Sequence, residues 1–504
     1  MHKSMHPAHI HLSKAQPRSA LLAVGIILGA FSAAVWAQAN GVSEAPPPKA
    51  APQYQAPPRP RDGQNMVLTI EKLTDGFDPP RPLLIWAIGS SFTRYQGHGK
   101  QLIAMIRHRF PDAPPIEYRR MVGGSTNYRF TRGWARHLVI PDQPDVVLIY
   151  NFGETNHLEK LIAELRAHTT ADIIVPTLHW CRPHQPIWPD PEATNHHQDP
   201  AAIRALCQRY GVEFVDNRCE MTQYMVANDL EIADLLADTV HQSPYAAKMI
   251  NLNIARHFHR SKRPGYDPRA REQRIEVESR PPAVTCSSDW KLAENGLALQ
   301  VGKRDSWMEV AFTGTRIDLI AWQKQSGGRI NVWIDGTPAQ TAPVYHATFV
   351  KPAQNNAPGH RHRTDRCPHG IDLVENIVPQ HWTITMTSDT GDYKLAGDVT
   401  GYDGTGNASK PFTSKSGQIR IPPQLWRSAN TNRTGDRFTF EVLRSTQDQI
   451  NFAGPREKYR IRLVENLPHG EHTLRLELAQ SGPVTIDAFD VFNPPGTMMH
   501  AGGN

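Results

Sequence analysis

Four short stretches of the chain hold residue types that could cooperate in acyl transfer. Ser90, Ser91 and Thr93 stand in AIGSSFTRY, directly after the apolar run PLLIWAI (82–88). Gly123 and Gly124 stand in MVGGSTNYRF. Asn151, Thr155 and Asn156 surround Gly153 in IYNFGETNH, after DVVLIY (145–150). Asp238 and His241 stand three residues apart in LLADTVHQSPY. Ester cleavage by a serine needs a hydroxyl, a base to take its proton and an acid that fixes the tautomer of the base. It also needs donors for the oxyanion. Each stretch alone has a plainer use. A serine before a helix is an N-cap, and Asn156 could cap a helix starting at His157. Paired glycines admit a tight turn, and an Asp with a following His makes an Asx-turn.

The elements around these stretches must bring them together. Between Pro82 and Phe258, β-branched runs alternate with helical spacing. DVVLIY, DIIVP (172–176) and VEFVD (212–216) are continuous apolar strands, and PIEYRRM (115–121) is a weaker one. HLEKLIAELRAH (157–168) places Leu158, Leu161, Ile162 and Leu165 on one helical face, and PYAAKMINLNIARHF (244–258) closes the unit. This succession predicts a parallel sheet with helices on both faces. In such open sheets the site lies outside the carboxyl ends of the strands, which is where the four stretches fall.

In that order the stretches resemble the blocks of the SGNH/GDSL hydrolase superfamily, over about residues 80–260. GSSFT (89–93) is similar to the Gly-Asp-Ser-x-Thr block, with Ser91 at the nucleophile position and Ser90 in place of the usual Asp. Gly124 fits the glycine of the second block. Asp238-Thr-Val-His241 matches the final Asp-x-x-His. The third block departs: its Asn stands two residues after the Gly in the family, and three in GETN (153–156). The resemblance implies a flavodoxin-like α/β/α fold and a cofactor-free esterase. It assigns Ser91 as nucleophile, His241 as base and Asp238 as its orienting acid. Gly124 and Asn156 become oxyanion donors, with Asn151 or Thr155 as alternatives to Asn156. His179 and Trp180, after the fourth strand, are expected at the rim as substrate-binding residues, with ordinary packing as the plainer reading.

The ends set the setting. Lys3, Lys14 and Arg18 precede the apolar run 20–37, which ends in Ala37-Gln38-Ala39. This reads as a signal peptide over 1–39, with an uncleaved N-terminal anchor as the other reading. The chain is then secreted or periplasmic. Residues 40–64 are Pro-rich and read as a mobile linker. Residues 1–39 carry three of the positive charges and no negative one, so a net +6 becomes about +3 without them. With no basic block interleaved with aromatics, nucleic acid is not an expected partner. Five cysteines include Cys207 and Cys219, which could bridge.

Beyond a catalytic domain over 65–260 and a charged linker over 261–281, the texture turns to short strands and turn residues. SWMEVAF (306–312), RIDLIAW (316–322), RINVWI (329–334), HTLRLEL (472–478) and VTIDAFDVF (484–492) predict a β-sandwich over 282–504, with an inserted β region at 374–450. Trp307, Trp322 and Trp333 are expected mostly in its core. His360, His362, Cys367 and His369 match no standard zinc spacing, so no metal site is expected. Export and the sandwich point to a carbohydrate ester, such as an acetylated polysaccharide. An O-acyltransferase with the same triad, or an inactive carbohydrate-binding protein, are the alternatives.

Overall fold

The computed structural model describes residues 46–121, 127–181, 199–261, 267, 270–294, 296–349, 368–426 and 433–496. They belong to one compact unit that begins at Ala45. Its central element is β1 (Leu83–Gly89), buried at all seven positions. A strand with no polar face has to be covered on both sides. β2 (Ile116–Met121), β3 (Val146–Tyr150), β4 (Asp172–Pro176) and β5 (Glu213–Val215) complete a parallel sheet in the order β2-β1-β3-β4-β5. This is the flavodoxin-like order, whose switch point lies between the carboxyl ends of β1 and β3.

The helices are α1 (Val67–Asp75), α2 (Ser91–Tyr95), α3 (Lys100–Arg109), α4 (Asn127–Arg129), α5 (Thr155–His168), α6 (Pro200–Tyr210), α7 (Asn217–Ala227) and α8 (Pro244–Arg256). α4 runs into a wider, π-helical segment, Phe130–Val139. Alternate strand residues serve the two faces of the sheet. Ile85, Ala87, Leu148 and Ile174 pack with Ile70 of α1, Ile106 of α3 and Ile250 of α8. Trp86, Ile88, Val147, Ile149 and Ile173 pack with Leu158, Leu161 and Leu165 of α5. The expected three-layer α/β/α unit is therefore present. α6 shows its local code plainly: Asp199 caps it through the N–H groups of Ala201 and Ala202, Pro200 opens it, and Gly211 ends it at φ 61°.

The Pro-rich stretch before the sheet is a packed strap, not the mobile linker its composition suggested. Ala51, Tyr54 and Ala56 are buried in the core beside α8. The Tyr54 backbone N–H donates to the Tyr245 hydroxyl at 2.9 Å, and its own hydroxyl donates to Asn253 at 2.5 Å. The Gly63 and Asn65 N–H groups donate to the buried Glu213 carboxylate at 2.7 and 2.9 Å. Composition sees the prolines; it does not see that a few tyrosine and backbone contacts repay the ordering of a chain already stiffened by proline.

The segment read as a linker at 261–281 is also partly structured. Glu272–Glu276 pairs with Val484–Phe492, so the sandwich begins ten residues earlier than expected. One sheet runs Thr337–Pro338, Arg329–Ile334, Gly470–Gln480, Trp307–Gly314, Val284–Cys286. The other runs Lys458–Val464, Arg316–Trp322, Val484–Phe492, Leu299–Val301, Lys291–Leu292. Val310, Leu319, Val332, Leu476 and Ile486 fill the space between them. Trp307, Trp322 and Trp333 are half-buried, not core. Trp307 and Trp333 alternate with buried Met308, Val332 and Ile334, so the period of two turns them to the outer face.

The insertion is larger than 374–450 implied and belongs elsewhere. Tyr345–Phe349 pairs with Arg437–Arg444 in a five-stranded sheet with Gln380–Met386, Asp392–Gly397 and Gly401–Asn407. Asp372–Leu373, Ile419–Ile421 and Phe412–Thr413 form a second, three-stranded sheet. Phe349, Ile371, Trp382 and Trp426 share a continuous core with Phe130, Trp134 and Leu138 of the α/β unit. His137 stitches the two: its Nδ1–H donates to the Ala347 carbonyl at 2.9 Å, and its Nε2 accepts the Ile371 N–H at 3.2 Å.

Candidate active site

The site grows from the switch point. Gly89 at the end of β1 lies opposite Tyr150 at the end of β3. A Cβ on Gly89 would stand 1.5 Å from Thr93 Oγ1, so only glycine lets α2 fold back this tightly. Thr93 Oγ1 donates to the Tyr150 carbonyl at 3.0 Å and ties α2 to β3. Ser90 is the N-cap, its hydroxyl accepting from Phe92 N–H at 3.4 Å. The capping role therefore falls to Ser90, and half-buried Ser91 becomes the first residue of α2.

Asp238 and His241 face this helix from the loop before α8. Asp238 Oδ2 accepts from His241 Nδ1 at 2.7 Å. Oδ1 accepts the backbone N–H groups of Val240 and His241, each at 2.8 Å. These bonds, the two backbone donors first, hold the Asp238 carboxyl down at about 2 although it is largely solvated. The loop is closed by Ala237 N–H on the His241 carbonyl at 2.8 Å, and pinned to α2 by Gln242 Nε2 on the Phe92 carbonyl at 2.8 Å. The His241 ring stacks on Tyr95, centroids 4.3 Å apart at 12°, and meets Phe92 edge-on at 5.7 Å. The His241 ring thus lies against α2, over the residues one and four positions after Ser91. Among the described residues no hydrogen bond yet joins Ser91 Oγ to His241 Nε2, a contact often loose without substrate.

The third block divides its two asparagines. Asn151 follows β3 directly and is buried; its Oδ1 accepts the Phe152 N–H at 3.0 Å, which leaves the amide nitrogen as its donor end. Asn156 is exposed in the first turn of α5, whose N-cap position is held by Glu154. Gly153 between them takes φ 138°, a conformation that favours glycine. Asn127 N–H donates to the Phe152 carbonyl at 3.1 Å, joining the start of α4 to this turn. Gly124 lies outside the described residues.

His179 and Trp180 do not reach the rim; both are enclosed. Trp180 Nε1 donates to Thr222 at 2.7 Å and its ring lies under the Arg218 guanidinium. His179 Nε2 lies 2.8 Å from the Val240 carbonyl, which can only accept, so Nδ1 must accept the Tyr150 hydroxyl proton at 2.6 Å. Burial raises the Tyr150 pKa, which keeps that proton in place. A Tyr150–His179–Val240 chain therefore holds the Asp238–His241 loop from behind. The backbone after the fourth strand turns both rings inward.

Three other aromatic rings stand at this end of the sheet. Tyr95, Tyr128 and Phe152 are all exposed. Tyr95 covers His241, Phe152 meets Phe92 at 6.1 Å, and Tyr128 lies over His157 at 4.8 Å. The position of Tyr95 four residues after Ser91 was the available signal, since i and i+4 share a helix face. Cys207 is a buried free thiol in the sheet core and not half of a bridge to Cys219. His360, His362 and Cys367 lie outside the described residues; His369 is buried edge-on against Trp134.

The α/β unit has a flavodoxin-like three-layer fold, carried here with additional antiparallel β-sheets. No protein-family model and no curated protein matches the chain. Similar solved structures include a two-domain esterase (CEX) active on acetylated mannans, 10% identical, covering 86% of this chain and 96% of its own, with a TM-score of 0.31. Another is a mutant of Axe2, an acetyl-xylooligosaccharide esterase from Geobacillus stearothermophilus, 17% identical, covering 36% of this chain and 94% of its own, TM-score 0.30. A family two carbohydrate esterase from Cellvibrio japonicus is 8% identical over 44% of this chain and 33% of its own, TM-score 0.19.

Proposed function

We propose that the chain is an exported serine esterase of SGNH type that removes acyl groups, acetyl first among them, from a carbohydrate. The observation that carries this is the Asp238–His241 pair, bonded at 2.7 Å and stacked on the helix that Ser91 begins. His241 Nε2 takes the proton of Ser91 Oγ as the oxygen attacks the acyl carbon. Asp238 accepts from Nδ1 throughout and stabilises the imidazolium. The oxyanion is held by the N–H groups of Ser91 and Gly124 and by the Asn151 amide, which follows β3 directly and takes the role first expected of Asn156. The imidazolium returns its proton to the departing sugar oxygen. Water, deprotonated by His241, then releases the acid and restores Ser91. The exposed rings of Tyr95, Tyr128 and Phe152 offer flat apolar faces to a pyranose.

The test is hydrolysis of 4-nitrophenyl acetate and of an acetylated polysaccharide by the full chain beside Ser91→Ala. Acetate release that vanishes in the variant is expected. Equal turnover by both proteins, or none by a folded wild type on either substrate, overturns the reading.

A further inference from the structure

On the side of β1 away from β3, four cationic or titratable groups collect next to the nucleophile helix. Arg94 lies three residues after Ser91 on α2 and is exposed, as are His98 and Lys100 where α3 begins. Residues three apart on a helix have Cβ atoms roughly 5–6 Å apart. Arg120 comes from β2, opposite Ala87 of β1. Its Nη2 donates to His98, 2.5 Å from Nδ1, while its Nη1 is enclosed without a hydrogen-bond partner among the described residues. Partial burial, and then the charges of Arg120, Lys100 and Arg94, lower the His98 pKa; burial and then Arg94 lower that of Arg120. No carboxylate contributes to either shift, and among the described residues none pairs with Arg94, Lys100 or Arg120.

Several other cations of the fold are paired with acids. Arg119, the next residue on β2, faces the opposite side and pairs with Glu117 and Asp142 at 2.6 and 2.8 Å. Arg81 and Lys72 converge on Asp145, and Arg271 on Asp172. Leaving a half-buried guanidinium uncompensated is costly. The backbone holding the cluster is also unusual: His98 takes φ 58°, between Gly97 and Gly99 at 80° and 76°, and Gly99 sits against the Tyr118 ring with no room for a Cβ. A non-glycine conformation of this kind persists where surrounding structure over-determines it, and it gathers at ligand sites.

We propose that the glycan esterified at Ser91 is anionic, and that Arg94 and Arg120, with Lys100, receive its carboxylate, sulfate or phosphate group. This rests on the esterase reading above. The exposed guanidinium of Arg94 presents a planar donor pair that suits such a group, and the charge of Arg120 and Lys100 beside it steers an acidic polymer toward the nucleophile.

The experiment compares three substrates with the full chain: 4-nitrophenyl acetate, a neutral acetylated xylan, and acetylated polygalacturonate. A sulfated acetylated galactan serves as a second anionic polymer. The kcat/KM for at least one anionic polymer should exceed that for xylan, and should fall roughly tenfold between ~0.02 and ~0.5 M NaCl. In the Arg94→Gln/Arg120→Gln double variant both the preference and the salt dependence should collapse, with turnover of 4-nitrophenyl acetate kept. If the double variant fails to fold, Arg94→Gln at the exposed end of the cluster should lower the salt dependence alone. Equal use of neutral and anionic polymers, or a preference untouched by the variants, overturns the inference. Hydrolysis of 4-nitrophenyl acetate that depends on Ser91 would still leave the esterase reading standing, so the two fail separately.

Discussion

Asp238 gives one carboxylate oxygen to the His241 ring and the other to the His241 backbone, so a single side chain fixes both the tautomer and the place of the imidazole. Asp238→Asn should keep the backbone bonds and lose the correct tautomer. A fall in kcat of about 10³–10⁴ is expected, on the scale seen when a triad acid is neutralised. Because the Asp238 pKa is depressed to about 2, its ionic contribution is fully present above roughly pH 4 and fades only as pH falls through 2. A kcat/KM profile measured from pH 9 to pH 4 should therefore contain no step belonging to Asp238. An acid limb that disappears in Asp238→Asn would contradict this.

The two asparagines of the third block should separate in kinetics. Asn151→Ala should lower kcat by about 10²–10³ with little change in KM, the effect of removing one oxyanion donor. Asn156→Ala, on the exposed turn of α5, should change kcat less than about threefold. The reverse result would return the oxyanion role to Asn156.

Tyr95 covers the His241 ring with an exposed face of its own. Tyr95→Ala should lower kcat on any acetyl ester and raise KM only on polymer, while Tyr95→Phe keeps both. An aromatic contact of this kind contributes about 0.5–1.5 kcal/mol, or roughly three- to tenfold. Steady-state kinetics on aryl acetate and on acetylated polysaccharide would read the split.

His137 is buried at the junction with the inserted β region, where both ring nitrogens are satisfied only in the neutral form. Burial lowers its pKa to about 4. The unfolded chain, near 6.5, takes up the proton first as pH falls, so the contribution is complete above about pH 6.5 and is lost toward pH 4. The change is on the order of 3 kcal/mol. Urea unfolding at pH 7 and pH 4.5 should show the loss, and His137→Gln should show less of it.

The strap should be needed for folding of the α/β unit. Deleting residues 46–63 would uncover Tyr245 and remove the Gly63 donor from buried Glu213 and the Asp62 partner from Arg256. A cost of about 3–5 kcal/mol is expected from the broken buried pairs. Thermal melts of the shortened chain against one starting at Ala45 would test it; equal melting temperatures would return the segment to the status of a spacer.

The chain's linear pattern determined the α/β succession, because β1, β3 and β4 are local apolar runs and the longer helices carry their own periodic faces. The Asp238–His241 bond was legible for a similar reason: Asp238 reaches His241 within one turn. Tertiary structure decided what depends on distant partners. Asn151 and Asn156 differ only in which one the β3 end buries. His179 and Trp180 are drawn inward by Tyr150, Val240 and Thr222, from elements up to 61 residues away. The strap and the insertion both looked independent because their partners, α8 and the segment around Trp134, lie more than 150 residues off in sequence. Charge pairing is the same kind of property. Arg119 and Arg120 are adjacent in the chain, and only the packing of the two faces of β2 gives one its acids and leaves the other without them.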